Sequence, residues 1–60
     1  MTEYVKKNGK TYVIETGYGF DMDNSEVRCY NGVDKFGRLI DGEFIFRGTW
    51  KECIEFVENL

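Results

Sequence analysis

Asn8-Gly9 stands between two runs of residues that favour extended backbone, and it constrains the fold of this chain more than any other feature. A two-residue type I′ turn needs positive φ at both central positions, and Asn-Gly meets that need with little strain. The flanks, Thr2–Lys7 and Lys10–Thr16, supply Tyr4, Val5, Thr11, Tyr12, Val13 and Ile14, aromatic and β-branched types that suit strands. Such a turn also sets the register. Val5 then faces Tyr12 and Glu3 faces Ile14 on one side, while Tyr4 faces Val13 on the other. Apolar groups therefore stand on both sides of the hairpin, and each side calls for cover or for a partner.

Further along, Gly17-Tyr18-Gly19-Phe20 ends the second strand and Asp21-Met22-Asp23-Asn24-Ser25 reads as a polar turn. Residues 26–30 form a third strand, with Val27 and Cys29 on one face and Arg28 and Tyr30 on the other. Asn31-Gly32 signals another turn, and residues 33–37 fit no single pattern. Asp41-Gly42 suggests a second tight hairpin joining a short strand, 38–40, to a longer one, 43–47. Strict alternation in the latter puts Phe44 and Phe46 on one face and Ile45 on the other.

The C-terminal segment reads as a helix. Thr49-x-x-Glu52 is a capping box, with the threonine as N-cap and the glutamate at the third helical position. Trp50, Cys53, Ile54, Val57 and Leu60 follow at helical spacing, opposite Lys51, Glu52, Glu55, Glu58 and Asn59, and Phe56 lies at the margin of the apolar stripe. A helix of this length is marginal alone, so it must dock on the sheet. Trp50 and the Phe44/Phe46 face are expected at the centre of that contact. The expectation is one α+β domain over 1–60: a small antiparallel, hairpin-rich sheet of four to five strands with one C-terminal amphipathic helix packed on one face.

Stability without staples is the next constraint. The chain has 60 residues, two cysteines, no proline and no histidine, so neither a disulfide framework nor a histidine-containing zinc set is indicated. Ten aromatic residues must supply much of the core. Each buries roughly 150–250 Å² when covered, more in total than one helix on one sheet needs. The surplus points to a surface for association. A net charge of −3 argues against duplex nucleic acid and anionic membranes as partners. The longest purely apolar run is Phe44-Ile45-Phe46, far short of a membrane span. No apolar signal core is present near the N-terminus, and a cytoplasmic location is expected.

Chemistry is scarce. Asp21, Asp23, Asn24 and Glu26 crowd oxygen ligands together, yet an EF-hand begun at Asp21 would meet Glu26 and Gly32 where glycine and glutamate are required. Gly17-Tyr18-Gly19 completes no phosphate-binding loop. Without histidine the usual general acid–base group is missing. Cys53 falls in the apolar stripe and not at the helix N-terminus, where a thiol would be activated. No catalytic residue, cofactor or metal site is assigned, and the chain is not expected to be an enzyme.

Two surface features remain. Lys6, Lys7 and Lys10 gather at the tip of the first hairpin among strand tyrosines, an arrangement that suits single-stranded nucleic acid or simply guards an edge. Glu52, Glu55 and Glu58 share the outer helix face, and the acidic turn at 21–26 would extend that patch if the two met. An acidic docking surface of this kind would speed association with a basic protein.

The run Phe44-Ile45-Phe46-Arg47-Gly48-Thr49-Trp50-Lys51-Glu52-Cys53-Ile54-Glu55-Phe56-Val57 resembles a recurring ending in small proteins of bacteriophages and mobile elements. There an aromatic strand leads through Gly-Thr into a short helix bearing Glu-Cys and then an aromatic residue. The resemblance spans about a quarter of the chain and identifies no binding residue. It implies a phage or prophage accessory protein, of a kind that often binds a host protein, including components of antiviral defence. In that case the cytoplasm is the host cell's.

The functional expectation is a non-enzymatic protein-binding module, an inhibitor that occludes a host protein's surface. Its contacts are the aromatics least claimed by the core: Tyr4, Tyr18, Phe20, Phe36 and Phe56. The alternatives are a single-stranded nucleic-acid binder and a structural homodimer.

Overall fold

The computed structural model describes residues 1–17 and 22–60, and four strands followed by one helix account for most of them. Strands β1 (Thr2–Lys7), β2 (Lys10–Thr16), β3 (Ser25–Val33) and β4 (Leu39–Gly48) form an antiparallel meander in the order β1-β2-β3-β4. Helix α1 (Trp50–Glu58) follows at once and lies on one face.

The first hairpin has the expected register, with Val5 opposite Tyr12, Glu3 opposite Ile14 and Tyr4 opposite Val13. Asn8 and Gly9 hold φ of 56° and 76°, as the two-residue turn demands. Beyond it the chain departs from expectation in three places. Asn31-Gly32 does not turn; both residues stay within β3. The turn comes later, at Asp34, where Gly37 N–H donates to the Asp34 carbonyl at 3.0 Å. Gly37 takes φ of +81°, a left-handed value glycine reaches without penalty. Asp41-Gly42 does not turn either. The segments expected at 38–40 and 43–47 are parts of one strand, β4, within which Asp41 adopts φ of +59°. Among the described residues the sheet thus has four strands, the lower of the two numbers expected.

The third departure is a bulge. Val27 pairs with Phe46, but the next residue, Arg28, pairs with Phe44. Ile45 is the extra residue, and it breaks the alternation that would have put Phe44 and Phe46 together. Phe46 and Ile45 pack on the helix side; Phe44 shares a row with Arg28 on the other face and is 45 % exposed.

The core lies between helix and sheet. Ile14, Val27, Cys53 and Val57 are sealed or nearly so, with Tyr12 and Cys29 beside them. Each large aliphatic group removed from water there contributes roughly 1.5–3 kcal/mol. Trp50, Ile54 and Phe46 border this centre instead of forming it, and Leu60, expected in the stripe, is 44 % exposed. Cys53 behaves as a small apolar side chain: burial pushes its thiol pKa up, out of the range of a reactive thiolate.

Both helix ends are tied down. At the start, Glu52 N–H donates to Thr49 Oγ1 at 3.1 Å while Glu52 Oε1 accepts from Thr49 N–H at 2.9 Å, completing the capping box. Trp50 N–H finds the Met22 carbonyl at 2.7 Å. At the far end the last turn has no basic residue of its own. Lys7, from β1, supplies one: its ammonium donates to the Glu58 and Val57 carbonyls at 2.8 and 3.1 Å.

Candidate binding surface

Among the described residues one helix covers one face of the sheet, and no second helix covers the other, termed the open face. Its side chains run in rows across the strands. Thr2, Glu15, Glu26 and Arg47 form the first row and Tyr4, Val13, Arg28 and Phe44 the second. Lys6, Thr11, Tyr30 and Gly42 form the third. Tyr4 is 66 % exposed, and it stands three strand spacings from Phe44, about 14 Å at the backbone. Between them Val13 is buried, although no helix among the described residues reaches this side. The Tyr30 ring lies so close over Gly42 that a Cβ there would run into it. That close approach gives Gly42 its place in the strand.

Charge on this face is largely paired. Glu26 accepts from Arg28 Nε at 3.3 Å and from Arg47 at 3.5 Å, and Arg47 also stacks over the Phe44 ring, 5.4 Å from its centroid. Glu26 thus lies on the sheet face opposite the helix with its charge already met by Arg28 and Arg47, so it adds no unpaired charge to the acidic patch expected to join residues 21–26 to Glu52, Glu55 and Glu58. Glu52 is itself committed to the cap, whose Thr49 N–H holds its carboxyl below the usual range.

The β3–β4 turn carries the other exposed ring. Asp34 Oδ1 accepts from the backbone N–H groups of Phe36 and Arg38, both at 2.9 Å, and Oδ2 accepts from Arg38 Nε at 2.8 Å. The Arg38 N–H, foremost among these bonds, holds the Asp34 carboxyl below its ordinary pKa. On this braced turn Phe36 is 70 % exposed, with Lys35 and Arg38 at 5.2 and 5.1 Å from its centroid.

The five expected contact residues are thus distributed unevenly. Tyr4 lies on the open face and Phe36 at the turn. Phe56 stacks on Phe46, with centroids 4.4 Å apart and planes at 11°, so part of its surface belongs to the helix–sheet contact. Tyr18 and Phe20 lie outside the described residues. Phe44 was missed because a bulge has no reliable mark in sequence. The braced turn could have been read from Asp34 and Gly37, types favoured at the first and fourth positions of a type I turn.

The lysine and tyrosine cluster expected at the first hairpin is divided by the pleat. Lys6 is on the open face; Lys7 and Lys10 share the helix face, where Tyr12 is buried. No group of three or more metal-ligating side chains comes together among the described residues. No helix among them is long and apolar enough to cross a membrane. No family model, curated protein or solved structure matches the chain.

Proposed function

We propose that this chain is a non-enzymatic protein-binding module whose contact surface is the open sheet face, centred on Tyr4 and Phe44 and extended by Phe36. The observation that carries the reading is the exposure of three large rings, two on strands and one on a hydrogen-bonded turn, none of them part of the core cluster. Ordered aromatics of this kind lose little side-chain entropy on binding, and they dominate the energetics of protein interfaces. The C-terminal resemblance to phage and mobile-element proteins supports a more specific version, an inhibitor that occludes a host protein.

Affinity capture from nuclease-treated bacterial lysate, compared between the wild type and a Tyr4→Ala, Phe36→Ala, Phe44→Ala variant, tests it. A protein captured by the wild type and lost from the folded variant is the expected result. An unchanged set of captured proteins would overturn the assignment of the surface. Single-stranded nucleic acid is less favoured, because Arg28 and Arg47 are already engaged by Glu26. Anisotropy of a labelled oligothymidylate at low salt separates the two readings: salt-sensitive binding would replace the protein partner with nucleic acid.

A further inference from the structure

We infer that the outer edge of β1, together with the groove between β1 and α1, is a strand-addition site for an extended, basic and apolar peptide segment of a partner protein. Two independent features meet there. The first is backbone. β1 is the first strand of the sheet, and it pairs along its whole length with β2 and with nothing else among the described residues. In a hairpin closed by a two-residue turn, the residues flanking the turn bond to each other, and the pattern alternates from there. Tyr4 and Lys6 therefore point their N–H and C=O groups outward. β4, the other edge, is interrupted by the Ile45 bulge and by the left-handed Asp41; β1 has no such interruption.

The second feature is the groove beside that edge. Helix α1 lies over β2, β3 and β4, and leaves the β1 side of the core as a cleft of about 400 Å³. Its apolar lining is Val5 and Ile54, both half-buried, with the buried Ile14 and Val57 beneath them. Glu3 and Glu58 stand at its rim, and neither enters an ion pair among the described residues. Lys7 also lines the cleft, but its ammonium is turned to the helix carbonyls. On the helix side of this edge the two carboxylates outnumber the one ammonium, so the lining of the cleft carries a net charge of −1 toward an incoming chain.

A strand added to β1 places alternate side chains on the helix side, next to Val5 and under Ile54. One apolar residue there, flanked at two-residue spacing by lysine or arginine, would fill the cleft and meet Glu3 and Glu58. Backbone bonds supply affinity and the alternating side chains supply selectivity, as in other strand-addition sites. This inference does not rest on the open-face reading, since the cleft lies on the opposite side of the sheet.

The test is an NMR titration of the isotope-labelled full chain with acetyl-Thr-Lys-Thr-Leu-Thr-Lys-Thr-amide. At about 1 mM peptide, amide shifts are expected along β1 and at Ile54 and Val57. Replacing both peptide lysines by glutamate should weaken binding roughly fivefold, the scale of two exposed ion pairs. N-methylation of the peptide amides that face β1 should abolish it, a control that leaves the protein unaltered. The Phe36→Ala, Phe44→Ala variant should bind the peptide as the wild type does. Absence of binding, binding indifferent to N-methylation, or shifts confined to the open face would each overturn the proposal. So would a sedimenting dimer that the peptide cannot dissociate, because the edge would then belong to a second copy.

Discussion

Asp34 shows how much one side chain contributes when its hydrogen bonds are local. Its carboxylate accepts from two backbone N–H groups and from Arg38 Nε, and those bonds need the ionised form. Its pKa is accordingly lowered in the folded chain. A depressed carboxylate contributes stability that is present above the unfolded pKa and lost as pH falls through the folded value. Urea unfolding of the wild type should therefore weaken from about pH 4 downward, and Asp34→Asn should be less stable at neutral pH with a flatter acid limb. An acid limb unchanged by the substitution would show that other carboxylates set it. The Asp34 to Gly37 turn depends only on neighbours in sequence, yet the competing Asn31-Gly32 signal draws the expected turn three residues too early. The side of the sheet on which Phe44 stands was not legible, because one extra residue in β4 decides it.

At the scale of elements, the helix is specified at its two ends by different kinds of information. The capping box is written within four consecutive positions, Thr49 to Glu52, and it forms as read. The other end depends on Lys7, some fifty residues earlier in the chain, whose ammonium takes the place of a basic residue in the last turn. Lys7→Met keeps the aliphatic stem and removes the charge. It should cost about 0.5–1 kcal/mol and fray the last turn, measured as a lower urea midpoint with faster amide exchange at Asn59 and Leu60. Added salt should diminish the difference between the two proteins. The same lysine was read from sequence as part of an exposed cationic tip, and only the pleat of β1 turned it toward the helix.

For the whole molecule, size sets the margin. A domain of this length has a stability of roughly 3–9 kcal/mol, and its central side chains are few. Ile14 is fully buried between sheet and helix. Ile14→Ala should cost about 3 kcal/mol and leave a detectable unfolded population in NMR spectra at room temperature. Tyr4→Ala, on the open face, should change stability by no more than about 0.5 kcal/mol. That contrast between a residue needed for folding and one available for contact underlies the proposed binding surface. The sequence alone determined the first hairpin and its register, the capped helix and the α+β class, since turns, caps and periodicity act over a few residues. Tertiary structure decided that 38–40 and 43–47 are one strand, that Ile45 bulges, and that Phe44 faces out. It also decided that Lys7 faces in and that β1, paired only with β2 among the described residues, borders a cleft lined by Val5 and Ile54. Those outcomes depend on which strands and helix meet across the chain, a competition among distant contacts that no local pattern records.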